Sequence, residues 1–160
     1  MHPIVPTLAL LAAMSACAPK PDQGAAPTTA SLAGPGGAQQ PDLGGAPWRL
    51  VDITGATIPA DMHPAQHPTL VFDAAASRVA GVAGVNRWNG QFTRTGPNGL
   101  TIAAGAMTRM AGIPEAMVLE DAYVKMLAQV RAYRLEGDRL TLLDERGATL
   151  ASYRRSTPPG

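Results

Sequence analysis

Of 160 residues only one, Cys17, is a cysteine. A single thiol excludes an internal disulfide and a thiolate metal cluster. The chain also lacks any block of like charge: thirteen Lys and Arg stand against twelve Asp and Glu, for a net charge of +1. Its arginines alternate with carboxylates, as in Glu136-Gly137-Asp138-Arg139 and Asp144-Glu145-Arg146. A nucleic-acid binder presents a basic face, so no nucleic-acid partner is expected. The apolar run near the start, Ile4 to Met14 (IVPTLALLAAM), is too short to cross a bilayer as a helix, which takes about 20 residues.

That run does have the length of a signal-peptide core. Met14-Ser15-Ala16-Cys17 comes directly after it. Small residues before a cysteine, at the end of an apolar run, resemble the lipobox of bacterial lipoproteins. The resemblance implies a diacylglyceryl group on the Cys17 thiol, cleavage before Cys17 and acylation of the new amino terminus, palmitate being the usual chain. Two or three acyl chains, at about 0.8 kcal/mol per buried methylene, hold a protein on a membrane where one would not. Ala18, in place of Asp, is compatible with transfer to the outer membrane, facing the periplasm. Met1-His2-Pro3 carries no Lys or Arg and Pro6 interrupts the run, both departures from the usual pattern. The competing readings are a plain secretory signal with an incidental cysteine, and a buried core segment.

The composition beyond Cys17 argues against the core segment. From Ala18 to Ala46 the residues are mostly Pro, Gly, Ala, Ser, Thr, Gln and Asp, with Leu32 and Leu43 the only large apolar side chains. Such a segment buries too little surface to offset the entropy of ordering it. As a coil of about 28 residues it spans roughly 30 Å, a tether between lipid and domain. The expected organisation is a signal peptide over 1–16, lipidated Cys17 and tether over 17–45, a domain over 46–155 and a disordered tail over 156–160.

After Pro47 short apolar runs alternate with turn residues. Strands are expected over Trp48 to Ile53, Thr69 to Asp73, Arg78 to Ala83, Trp88 to Thr95 and Gly99 to Ala104, with a proline-punctuated loop over 56–68. The period then changes. Pro114 to about Ala128 reads as a helix opened by Pro and Glu, with Ala116, Leu119, Tyr123, Met126 and Leu127 on one stripe. Val130 to Leu135, Arg139 to Leu143 and Thr149 to Tyr153 complete the set. The fold class expected is α+β: a small, strongly curved antiparallel sheet of about eight short strands, open-barrel-like, with one packed helix between the fifth and sixth strands.

Three stretches carry a resemblance across this part. Arg78-Val79-Ala80-Gly81-Val82-Ala83-Gly84-Val85-Asn86-Arg87-Trp88-Asn89-Gly90 resembles the pattern R-V-x-G-x-x-G-C-N-R-aromatic-x-G. Met107-Thr108-Arg109-Met110-Ala111-Gly112, followed by Met117, Glu120 and a helix, resembles T-[TR]-M-A-C, and Tyr133 to Asp144 resembles Y-x-[IL]-x-G-D-x-L-x-L-x-D. With Trp48-x-Leu50 in front, the ordered set resembles the META or HslJ-like domain, the former DUF306 grouping. The resemblance implies a curved antiparallel sheet with a packed helix, no known catalytic residue, and a place among envelope proteins, often lipoproteins, one of them linked to stress. Val85 and Gly112 stand where many members have cysteines. If relatives pair those cysteines, the joint loss avoids a single oxidisable thiol.

Candidate chemistry is sparse. His63 and His67 are four apart, but Pro64 and Pro68 come after them and exclude a helical metal pair, so no metal or cofactor is expected. No serine sits in a nucleophile elbow. Gly81, Gly84 and Gly90 lack the helix and lysine of a phosphate loop and read as bulges or close backbone approach. Asn86, Arg87, Thr108 and Arg109 remain as a structural or anion-binding motif. Arg87 and Arg109 either bind an anion or acidic partner or, the reading favoured here, pair with Asp or Glu inside the domain. A non-enzymatic, monomeric envelope lipoprotein is expected: a stress-related or protein-interaction module with an envelope protein as partner. The alternatives are a small-ligand-binding or inhibitor-type module and an envelope hydrolase.

Overall fold

A computed structural model describes residues 42–156; the expected signal peptide, Cys17 and nearly all of the expected tether lie outside the described residues. The strands are β1 (Trp48–Ile53), β2 (Thr69–Asp73), β3 (Arg78–Val82), β4 (Arg87–Thr95), β5 (Gly99–Met107), β6 (Ala132–Glu136), β7 (Arg139–Leu143) and β8 (Thr149–Arg155), with α1 (Pro114–Gln129) between β5 and β6. Each strand pairs antiparallel with its sequence neighbour, and β1 pairs with β8, so the sheet closes into a barrel. Closure goes one step beyond the open sheet expected. It removes the free edges that a sheet of short strands would expose.

The alternation of each strand sets the inside. In β4 the pattern is strict: Trp88, Gly90 and Phe92 are buried while Arg87, Asn89 and Gln91 are exposed. The barrel is weakest between β5 and β6, which meet at a single pair, Gly99 with Ala132. The helix lies by this gap and packs on β5. Its buried face carries Ala116, Leu119, Tyr123, Met126 and Leu127, the expected stripe, together with Glu120. Pro114 occupies the first turn, where a missing N–H is harmless. At the other end the Arg131 guanidinium donates to the carbonyls of Ala128 and Val130 at 2.9 and 2.8 Å, supplying positive charge where the helix dipole is negative.

The core begins before the change in composition at 46. Leu43 is only 2 % exposed, and its carbonyl accepts a 2.7 Å hydrogen bond from the Trp48 indole. Arg155 stacks over the Trp48 ring at 4.3 Å and donates to the carbonyls of Gly44 and Asp42. One arginine thus straps the segment before β1 across the end of the barrel.

Candidate functional site

The only buried carboxylate among the described residues is Glu120, 5 % exposed; beside it Asn86 is 2 % exposed. Glu120 Oε2 accepts the backbone N–H groups of Val85 and Asn86 at 3.1 and 2.7 Å, and Oε1 accepts Asn86 Nδ2 at 2.8 Å. Asn86 Nδ2 also donates to the Met110 carbonyl at 3.1 Å. Its Oδ1 accepts from the Thr108 hydroxyl at 2.9 Å and the Met110 N–H at 2.7 Å. All four hydrogen-bonding positions of the Asn86 amide are thereby filled. Three separate pieces of chain, the β3–β4 loop, the β5–α1 loop and the helix, are pinned at one point.

The sequence motif is therefore assembled in space, and Glu120, part of the resemblance but not expected as a site residue, joins it. Asn86 and Thr108 bond directly. Arg87 joins through its backbone, its N–H donating to Thr108 Oγ1 at 3.0 Å and its carbonyl accepting the Thr108 N–H at 2.9 Å. Arg109 is next on the same loop. Glu120 is hidden among apolar neighbours, yet it leaves a signal: a lone carboxylate on the stripe between Ala116 and Tyr123. The expected pairing of Arg87 and Arg109 with carboxylates is absent among the described residues, where the ion pairs are Arg134 with Glu136 and Arg154 with Asp138, both on the surface. The loops are fixed by the Asn86 amide and the Glu120 carboxylate instead, leaving Arg87 and Arg109 exposed.

Glycine and valine complete the junction. A Cβ on Gly112 would stand 2.2 Å from Val85 Cγ2 and 3.2 Å from Val85 Cβ, so the two positions that resemble cysteine sites are in contact. Gly84 has φ of +144°, and a Cβ there would reach the Ala116 carbonyl at 3.0 Å. Close approach, not phosphate binding, explains this glycine, as it does Gly81 against Thr69 and Gly90 against Ala103.

The histidines stand apart from this junction. His63 Nδ1 accepts the Ala65 N–H and opens a 3₁₀ turn over Pro64–Gln66. His67 is part-buried; burial, and then the charge of Arg49, hold it below its ordinary value. Among the described residues no three His, Cys, Asp or Glu side chains gather as a metal site. In the core, burial pushes the phenols of Tyr123 and Tyr153 up, and Tyr123 donates to the Thr69 carbonyl. Surface hollows of about 480 and 520 Å³ flank Asn89 on the outer face of the barrel and are open to solvent.

An eight-stranded antiparallel barrel closed by one helix, with a buried Asn–Glu junction fixing its loops, defines a small barrel whose interior is occupied by side chains. Residues 41–157 match the META domain model, and the chain belongs to the META domain family. Among solved structures it is similar to a protein from Burkholderia xenovorans at 22 % identity and TM-score 0.56, covering 72 % of this chain and 84 % of that one. A DUF4847 family protein from Bacteroides vulgatus aligns at 15 % identity and TM-score 0.52, over 71 % of this chain and 94 % of that one. These likenesses concern the fold. No curated protein matches the chain.

Proposed function

We propose that this chain is the precursor of a cell-envelope lipoprotein, anchored through Cys17 and carrying a META domain that works by binding. The supporting observation is the distribution of thiols. Val85 and Gly112 touch and would be a natural place for a disulfide, yet neither is cysteine. The chain's one thiol is Cys17, at the end of the apolar run, where lipidation would use it. The binding reading is supported by Glu120: three donors occupy its carboxylate, a use that holds the loops in place. Exposed Arg87 and Arg109 then stand on a rigid base, suited to an anionic partner. A role in envelope stress, on the outer membrane facing the periplasm, is the biological setting proposed.

The test is metabolic labelling with palmitate. The wild type takes up label and accumulates as an uncut precursor under globomycin, whereas Cys17→Ala takes up none. A soluble, unlabelled wild-type product would overturn the proposal.

A further inference from the structure

Five large apolar side chains are exposed among the described residues, and three fall within one stretch of nine: Met110 at 55 %, Ile113 at 51 % and Val118 at 67 %. The stretch comprises the end of the β5–α1 loop and the start of α1. It is not a loose loop. Both backbone groups of Met110 are held by the Asn86 amide, and the Ile113 carbonyl accepts from Ala116 and Met117, both at 3.1 Å. The backbone that carries these side chains is thus held in place, at Met110 by the buried polar junction and at Ile113 by the first turn of the helix. An open hollow of about 460 Å³, lined by Ala56, Pro59 and Val118 among others, extends the apolar surface toward the β1–β2 loop. Arg109 stands on the same loop and Arg87 opens β4 beside it, bonded to Thr108 through its backbone; neither has a carboxylate partner among the described residues.

Resting on the lipoprotein reading, we propose that this end of the barrel docks on an anionic phospholipid bilayer. Met110, Ile113 and Val118 enter the interface and Arg87 and Arg109 meet lipid phosphates. An apolar ridge beside unpaired cations matches a surface that offers hydrocarbon and negative charge together. Glu115, in the same stretch, stays at the helix amino terminus, where the dipole favours it. The length of chain ahead of the domain makes the geometry possible. Asp42 is strapped at the opposite end of the barrel, beside Trp48 and Arg155. Twenty-four residues separate it from Cys17, and a coil of that length would span roughly 25–30 Å. β4, nine residues long, measures about 30 Å, so the tether reaches far enough for the distal end to turn down to the bilayer. Three side chains bind weakly as a free patch, but a short tether holds them at an effective concentration of about millimolar.

The full lipidated chain, purified from membranes, is reconstituted into vesicles of phosphatidylglycerol and phosphatidylethanolamine. Lipid occupies Cys17, so a thiol introduced by Met110→Cys, Val118→Cys or, as control, Asp138→Cys is the only one free for a fluorescent label. Brominated lipids should quench labels at 110 and 118 at least about twofold more than at 138. Adding Arg87→Gln with Arg109→Gln should return that quenching to the control level, with thermal melting unchanged. Labels at 110 and 118 as unquenched as at 138, on a chain shown by mass to carry lipid, overturn the docking surface and leave the anchor standing. The same result with those labels shielded in intact cells assigns the ridge to a protein partner and equally overturns it. A chain without lipid overturns both readings.

Discussion

Burying a carboxylate without matching donors would be among the most expensive single features of a domain this small. Glu120 is tolerable because two backbone N–H groups and an amide reach it. Glu120→Gln turns one acceptor oxygen into a donor facing other donors. We expect a loss of about 2–4 kcal/mol in denaturant unfolding, while Arg87→Ala, at an exposed position, should change stability by no more than about 0.5 kcal/mol. Equal losses from the two variants would contradict the division between a structural junction and a free surface. His67 supplies a second test. Its proton affinity is lowered on folding by burial and by Arg49, so the unfolded chain binds the proton first as pH falls. Stability should therefore decline below about pH 6.5 and level off once the folded imidazole also protonates. That component should vanish in His67→Gln and persist in His63→Gln, as measured by unfolding from about pH 7.5 down to about 4.5.

At the scale of elements, strands with clean alternation were legible from residue pattern alone. Trp48 to Ile53, Thr69 to Asp73 and Arg139 to Leu143 are found with the expected ends. β5 runs on to Met107, three residues past its expected end at Ala104. The run Ala103-Ala104-Gly105-Ala106 has no polar and apolar alternation to read, and its conformation is imposed by pairing with β4 across a bulge. The helix stripe was equally plain, but a hydrophobic pattern does not say that Glu120 points inward. That depends on donors supplied by Val85 and Asn86, from a loop far away in sequence. The contact between Val85 and Gly112 gives this level its own prediction. Gly112→Ala should destabilise by about 1–3 kcal/mol, since a methyl there would overlap the valine. The Cβ atoms of a Val85→Cys, Gly112→Cys pair would start 3.2 Å apart, close to disulfide spacing. The oxidised double variant should recover about 2–4 kcal/mol over its reduced form. Failure to form the bond under air oxidation would contradict the placement of the two loops.

For the whole molecule, tight turns between successive strands made a meander legible, and edge protection argued for strong curvature. Closure between β1 and β8 was not, because it joins the two ends of the domain, at residues such as Leu50 and Tyr153, which no local pattern links. The strap of Arg155 over Trp48 was hidden for the same reason. It draws Leu43 into the core, although its surroundings read as tether. Arg155→Ala should free the segment 42–47 and raise hydrogen exchange at the Trp48 indole, without unfolding the barrel. The barrel thus has its incoming chain tied at one end and the Asn86–Glu120 junction at the other, an arrangement suited to the proposed role of presenting a surface. The most direct measurement on that account is the intact mass of the mature chain extracted from membranes of its host. It should lack residues 1–16 and carry diacylglyceryl and acyl groups on Cys17. A mature chain with an unmodified Cys17, or one that retains residues 1–16, would contradict it.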